Sequence, residues 1–427
     1  MARDADRRAS HRLTHDTVAE AAEPRQFTDT CRVASSLADR RGAKVVTFPW
    51  SLECSGCGST RNADGLPGVC ACGQPYLVRY GVTPAPEARA RLAERRWTMW
   101  RYREWLPLAD GEAPVTLGEG GTPLLTVPRV AAKHGFRELR VKEEGANPTG
   151  SFKARGLAAA VTRAALAGAQ RLVVPTAGNA GVALAAYAAR AGLAARVYAP
   201  ATTPPAILGQ IRSFGGDLAL VDGHIGDCGK AARAYAAETG AVDVSTLREP
   251  YRIEGKKTLG LELAEQLGWS LPDAIVYPTG GGTGLIGMWK AFAELTRAGW
   301  LEGKPPRLYS VQAAGCAPVV RGFEAGTDAC APWPDPRTIA VGLQVPAPLG
   351  DRLMLRALRE SGGGAVAVTD ALLAAAARDL QTLEGIDASP EGGAALAGAV
   401  ELQARGKLHP DERVVIFNTG AGWLYRA

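Results

Sequence analysis

From about residue 115 the chain alternates short β-branched runs with alanine-rich stretches. RLVVP (171–175), ARVYAP (195–200), DLALVD (217–222), DAIVYP (273–278), RLYSVQ (307–312) and RVVIFN (413–418) read as strands. Helical segments fall between them, around 178–192, 226–239, 255–267 and 284–297. Such alternation predicts an α/β fold of parallel sheets with helices on both faces. Ligands of these sheets bind in loops beyond the carboxyl ends of the strands. Upstream, RARLAERRWTMWRYREWLPL (89–108) interleaves arginine with tryptophan. An amphipathic helix packing its tryptophans on a neighbour explains it better than a nucleic-acid surface. An uncharged run of 18 residues lies between Arg171 and Arg190, close to the length of a membrane span. Pro175, Gly178, Asn179 and Gly181 interrupt it, so it reads as a buried strand, turn and helix.

Length and composition narrow this picture. At about 150 residues per domain, 427 residues suggest two or three domains. The 51 glycines have no strict period, which excludes collagen. A net charge of +6, spread over 49 basic and 43 acidic residues, is too dilute for a nucleic-acid partner. Five histidines leave little room for histidine-based catalysis. The opening MARDADRRASHRLTHD has no apolar core for secretion, and Asp4, Asp6 and Asp16 argue against a transit peptide. Residues 1–42 are expected to be a polar, disordered leader on a cytoplasmic protein with no membrane partner.

Four of the eight cysteines, Cys54, Cys57, Cys70 and Cys72, crowd into 19 residues as C-x-x-C and C-x-C, with Gly56, Gly58 and Gly73 allowing tight turns. Four thiolates at this spacing suit a closed, structural Zn²⁺ site. The alternative is four free thiols. Cys31, Cys228, Cys316 and Cys330 are scattered and read as small apolar core residues.

Three loops carry chemistry. In ANPTGSFKARG (146–156) a turn cluster leads into a helix with Ser151 as the expected N-cap. That places Lys153 in the first turn, where the helix dipole disfavours an ammonium and favours a nucleophilic amine. In PTAGNAG (175–181) a strand ends and an alanine helix begins, so the N–H groups of Ala177–Ala180 form an anion site suited to a carboxylate. In PTGGGTGLIG (278–287) Gly280, Gly281, Gly282, Thr283 and Gly284 can wrap a phosphate. The same segment fits a dinucleotide fingerprint, but the next strand ends in Gln312 instead of an acid, which argues against NAD. A lysine amine, a phosphate cradle and a carboxylate site together describe a pyridoxal 5′-phosphate enzyme acting on an amino acid.

These loops, with NTGAG (418–422), resemble the threonine synthase family of fold-type II, tryptophan-synthase-β-like pyridoxal-phosphate enzymes, in order and approximate spacing. The resemblance spans roughly 50–425 and implies two doubly wound open-sheet domains behind a small zinc ribbon. On that reading 43–82 is the ribbon, 83–160 plus 270–427 the large cofactor-binding domain, and 161–269 the smaller one. It further implies that Lys153 holds the cofactor covalently and acts as base. Asn179 falls at the cofactor 3′-hydroxyl, Gly280–Gly284 at its phosphate, and Thr419 at the pyridine nitrogen. Thr176, Ala177, Gly178, Asn179 and Ala180 would take the substrate α-carboxylate. A neutral hydroxyl at Thr419 leaves the nitrogen unprotonated and favours elimination and replacement.

The implied reaction converts O-phosphohomoserine and water to threonine and phosphate, in a homodimer. Two departures from the family pattern bear on the substrate. Ala154 replaces an aspartate, as in several dehydratases, and the substrate-phosphate segment reads Thr246-Leu247-Arg248-Glu249-Pro250-Tyr251-Arg252. Arg252 is retained and can grip a phosphate, whereas Leu247 lacks the serine hydroxyl. The alternatives are β-elimination or β-replacement on serine, threonine or phosphoserine, including a cysteate-synthase-like reaction, and an inactive protein binding a partner through the ribbon.

Overall fold

The structure, a computed structural model, describes residues 48–426. The expected leader and Cys31 lie outside them. In chain order the strands are β1 Trp50–Cys54, β2 Thr60–Asn62, β3 Tyr76–Tyr80, β4 Leu124–Thr126, β5 Glu138–Glu143, β6 Arg171–Pro175, β7 Ala194–Pro200, β8 Asp217–Val221, β9 Val242–Asp243, β10 Ala274–Pro278, β11 Arg307–Ala313, β12 Gly364–Val368 and β13 Arg413–Asn418. The helices are α1 Pro128–His134, α2 Lys153–Leu166, α3 Asn179–Ala191, α4 Pro205–Ser213, α5 Ile225–Thr239, α6 Tyr251–Gln266, α7 Thr283–Arg297, α8 Pro318–Glu324, α9 Asp351–Glu360, α10 Asp370–Glu384 and α11 Pro390–Ala404. Among the described residues, no helix is long and apolar enough to cross a membrane.

β1–β3 form an antiparallel sheet in the order β2-β1-β3. The larger sheet runs β12-β11-β10-β13-β5-β4, parallel except for β4 at its edge. A second, wholly parallel sheet runs β8-β7-β6-β9. Burial on both faces explains why the central strands are uninterrupted apolar runs. In β10 and β13, Ala274, Val276, Val414 and Ile416 pack on one side with α1, α10 and α11. Ile275, Tyr277, Val415 and Phe417 point the other way, onto α6, α7 and α9. The alanines of α2 and α3 pack on the second sheet, where small side chains let helix and sheet approach closely. Ile253, Leu259 and Leu263 of α6 belong to the core of the larger sheet.

Two local expectations fail. The stretch 89–108 falls in two 3₁₀ segments, Pro86–Glu94 and Met99–Trp105, in place of one amphipathic helix. Arg101 is turned inward, donating to the Leu92 carbonyl and, at 2.7 Å, to Glu265, so burying an arginine overrides the helical register. The tryptophan packing survives: Trp105 meets Trp300 edge-on at 5.2 Å. Ser151 does not cap α2 with its side chain. Its backbone is held in a bridge to Gly420, Phe152 occupies the cap position, and the Ser151 hydroxyl is buried without a partner. Cys228 and Cys316 are buried as expected, and Cys330 is half-buried.

Arg155, in the first turn of α2, is fully buried and reaches Glu144 at 2.7 Å and Glu262 at 3.0 Å. Lys142 completes the cluster against Glu262. Removing one member of a buried ion pair strands the other charge, at about 3–5 kcal/mol. Arg155→Ala is therefore expected to lower unfolding free energy by about that amount in denaturant titration. A loss below about 1 kcal/mol would show that the cluster does not hold the helix start.

Candidate active site

Four loops at the carboxyl ends of parallel strands converge: 144–152 after β5, 176–178 after β6, 279–282 after β10 and 419–421 after β13. They enclose a cavity of about 400 Å³. Lys153, Thr176–Ala180, Gly280–Gly284, Thr419 and Arg252, all singled out from the sequence, line this one cavity. Burial pushes the Lys153 ammonium down to about 7, with the Arg252 guanidinium adding to the effect and Glu391 opposing it. A neutral amine at physiological pH is what a carbonyl cofactor requires of its lysine.

The glycine loop fits a phosphate for steric reasons. Gly282 has φ +80°, and a Cβ there would lie 2.1 Å from Met354 Sδ. A Cβ on Gly284 would lie 2.0 Å from the Tyr277 hydroxyl. The amides of Gly280, Gly281 and Gly282 donate to no backbone carbonyl among the described residues, and they sit at the N-terminus of the 15-residue α7. Those free donors and the helix dipole make an anion cradle. On the opposite wall, the Asn179 side-chain amide donates to Tyr425 at 3.1 Å, while its Oδ1 is buried without a partner. The Thr176 hydroxyl is spent inside its own turn, accepting from the Gly178 amide at 3.0 Å. That fixes the turn and leaves the first N–H groups of α3 facing the cavity.

The far end of the cavity is cationic. Arg252 donates to the Val244 carbonyl at 2.8 Å, and its Nε has no partner. Glu249 caps α6 by accepting from the amides of Tyr251 and Arg252. Leu247 adopts φ +64° and turns into the core, so it takes no part in the lining. Ser245, Thr246 and half-buried Arg248 line the wall instead.

Residues 115–420 match the family described as pyridoxal-phosphate dependent enzymes. The threonine synthase of Methanocaldococcus jannaschii is 34% identical over 373 residues, which covers 87% of this chain and 92% of that protein. The chain belongs to the threonine synthase family of pyridoxal-phosphate dependent enzymes. The threonine synthase of Methanosarcina acetivorans is likewise 34% identical over 375 residues, covering 87% of this chain and 91% of its own length. Among solved structures, a T.th. threonine deaminase is 28% identical with a TM-score of 0.60, covering 70% of this chain and 92% of its own. The chain is thus a pyridoxal-phosphate-dependent lyase of fold type II.

Within that family, bound pyridoxal phosphate supplies the electron sink for chemistry at the substrate carbons. Lys153 can anchor it and move protons at the adjacent carbons, and Gly280–Gly284 can hold its phosphate. Several lining residues escaped the sequence reading. Glu391, at the start of α11, is buried, accepts from the Gly342 amide at 2.8 Å and has one oxygen without a partner. Nothing in Ser389-Pro390-Glu391 distinguishes it from an ordinary acidic first turn. Tyr277 and Tyr425, both held neutral chiefly by burial, were also missed. Gln312, where a dinucleotide site would need an acid, is occupied structurally, accepting from the amides of Val319 and Val320.

The four clustered cysteines lie apart from this cavity. Their sulfurs are all within 4.8 Å of one another, with Cys54–Cys72 at 3.3 Å and Cys57–Cys70 at 3.7 Å. A tetrahedral shell with metal–sulfur bonds of about 2.3 Å spaces its sulfurs about 3.8 Å apart, so the set fits an S₄ ion. Gly58 and Gly73 take left-handed φ as the turns demand, whereas Gly56 is needed because a Cβ would lie 2.6 Å from Gln74.

The depressed lysine gives a pH prediction. Below about 7 the Lys153 ammonium blocks attack on the cofactor aldehyde, and above it the free amine predominates. The rate of cofactor uptake by cofactor-free protein is expected to rise through pH 7 and then level off. A rate still climbing toward pH 10 would show an ordinary, solvated lysine.

Proposed function

We propose that this enzyme converts O-phosphohomoserine and water to threonine and phosphate. The observation that carries the reading is a pair of anion sites in one cavity. Gly280–Gly284 suits the cofactor phosphate, and Arg252 with Arg248, Ser245 and Thr246 suits a second phosphate on the substrate. Between them, Lys153 is the base that removes the α-proton and later a β-proton. Thr419 would offer a neutral hydroxyl to the pyridine nitrogen, Asn179 would hold the 3′-hydroxyl, and the turn Thr176–Ala180 would take the α-carboxylate. Cys54, Cys57, Cys70 and Cys72 hold one structural zinc ion per chain. The threonine synthases at 34% identity support this substrate class.

A second reading, elimination on threonine or serine, draws support from Leu247, whose core-facing side chain leaves its position without a hydroxyl. The threonine deaminase structure and the L-serine ammonia-lyase of Rhizomucor miehei, 26% identical with a TM-score of 0.60, share the fold.

Incubation with O-phosphohomoserine, phosphoserine and threonine, with assay of phosphate, threonine and 2-oxoacid, separates the two. Phosphate and threonine in equal amounts from O-phosphohomoserine are expected. Phosphate from phosphoserine alone, or 2-oxoacid from threonine as the main product, would overturn the reading. Losing a charge-assisted hydrogen bond costs about 1.5–3 kcal/mol. Arg252→Ala is therefore expected to raise KM for O-phosphohomoserine by about 10- to 100-fold. An unchanged KM would remove Arg252 from the substrate site.

A further inference from the structure

The residue next to Arg252 belongs to the cysteine segment's core. Tyr251 packs with Trp50, Leu52, Cys54, Ala63, Cys70 and Val78, and its hydroxyl donates to the Ala63 carbonyl at 3.4 Å. The same segment touches α6 and its approach on either side of Arg252. A Cβ on Gly68 would lie 3.7 Å from the Arg248 carbonyl oxygen. The Tyr80 hydroxyl donates to Glu254 at 2.7 Å, and Lys257 Nζ stands 4.3 Å from the centre of the Tyr80 ring. Glu254 is itself paired with Lys257 at 2.6 Å and Lys290 at 2.9 Å, all three side chains being buried. The segment also reaches α2, where the Arg163 guanidinium lies 4.8 Å from the Phe48 ring centre and 5.1 Å from that of Trp50. Observed contacts at 251 and 254 therefore flank the buried arginine at 252, and the backbone at Gly68 runs close to that of Arg248. The segment also reaches α7, but at Lys290, whose Nζ lies 5.2 Å from the Tyr80 ring centre, and not at Gly280–Gly284 before and at its start.

A three-stranded sheet with so small an apolar core gains little folding free energy of its own, and a metal held by its four thiols would add to it. We propose that the cysteine segment positions the substrate's anionic end: its metal-dependent fold fixes Tyr251 and Glu254, and through them Arg252 and Arg248. Metal occupancy then sets the affinity for the substrate phosphate without setting cofactor retention. This rests on the reading of Arg252 as a substrate-phosphate residue.

The test uses the holoenzyme before and after removal of zinc with a chelator. Metal content, cofactor absorbance, binding of inorganic phosphate by calorimetry, and KM against kcat are followed together. Loss of about one zinc per chain is expected to weaken phosphate binding and raise KM at least about tenfold. Cofactor should be retained, kcat should change less than about threefold, and added zinc should restore binding. Tyr80→Phe, fully metallated, is expected to raise KM a few-fold with kcat unchanged. Unaltered phosphate affinity after zinc loss, cofactor lost in step with zinc, or protein isolated without metal would each overturn the proposal. Arg252→Ala in the metallated enzyme separates the two readings. If it weakens phosphate binding while zinc removal does not, the positioning role alone fails; if it has no effect, the substrate-phosphate reading fails with it.

Discussion

Arg155 and the two carboxylates it grips, Glu144 and Glu262, come from three separate stretches of chain and are all shut away from solvent. Glu144 follows β5, Glu262 sits on α6, and Arg155 opens α2. Joining them sets the angle at which α2 leaves its loop, and with it the position of Lys153 one half-turn earlier. Thr122 and Lys142 satisfy the remaining oxygens, so the cluster carries no stranded charge. Such a cluster adds little over well-packed apolar residues, but its partial loss is costly. Its consequence here is geometric: the larger sheet, α2 and α6 are tied at one point beside the cavity.

The cavity's electrostatics follow from that arrangement. Two cationic side chains, Lys153 and Arg252, face a space that already favours anions through the N-termini of α3 and α7. Arg252 cannot give up its proton at ordinary pH, so the cost of crowding falls on Lys153. Burial does most of the work and the guanidinium adds to it, leaving an amine poised near neutrality. Lys256 repeats the pattern just outside the cavity. Its ammonium is pushed well below the usual range by burial and by Lys153, and it donates to the Phe152 carbonyl that leads into α2. Both lysine nitrogens stand 3.9 Å from the centre of the Phe152 ring.

Much of this was legible in the chain. The six β-branched runs mark strands because parallel strands buried on both faces must be apolar throughout, and after the exposed Asp273 every residue of 274–278 is buried. The glycine cluster at 280–284 and the small-residue turn at 176–180 announced themselves because only such residues let backbone amides face an anion. Other features carried no local signal. β5, with four charged residues, and the two-residue β9 do not stand out, and the GAVAV of β12 blends into alanine-rich surroundings, so their pairing is a matter of tertiary fit. The 3₁₀ path of 89–108 follows from the inward turn of Arg101 toward Glu265, a residue 164 positions away. Glu391, Tyr425 and Ser245 reach the cavity only because distant loops converge there.

The proposed function requires one lysine, Lys153, to carry the cofactor in this cavity. Borohydride reduction of the holoenzyme followed by peptide mapping tests it most directly. A single pyridoxyl adduct on Lys153, absent from Lys153→Ala, is expected. An adduct on the neighbouring Lys256, or no adduct in protein that holds the cofactor, would contradict it.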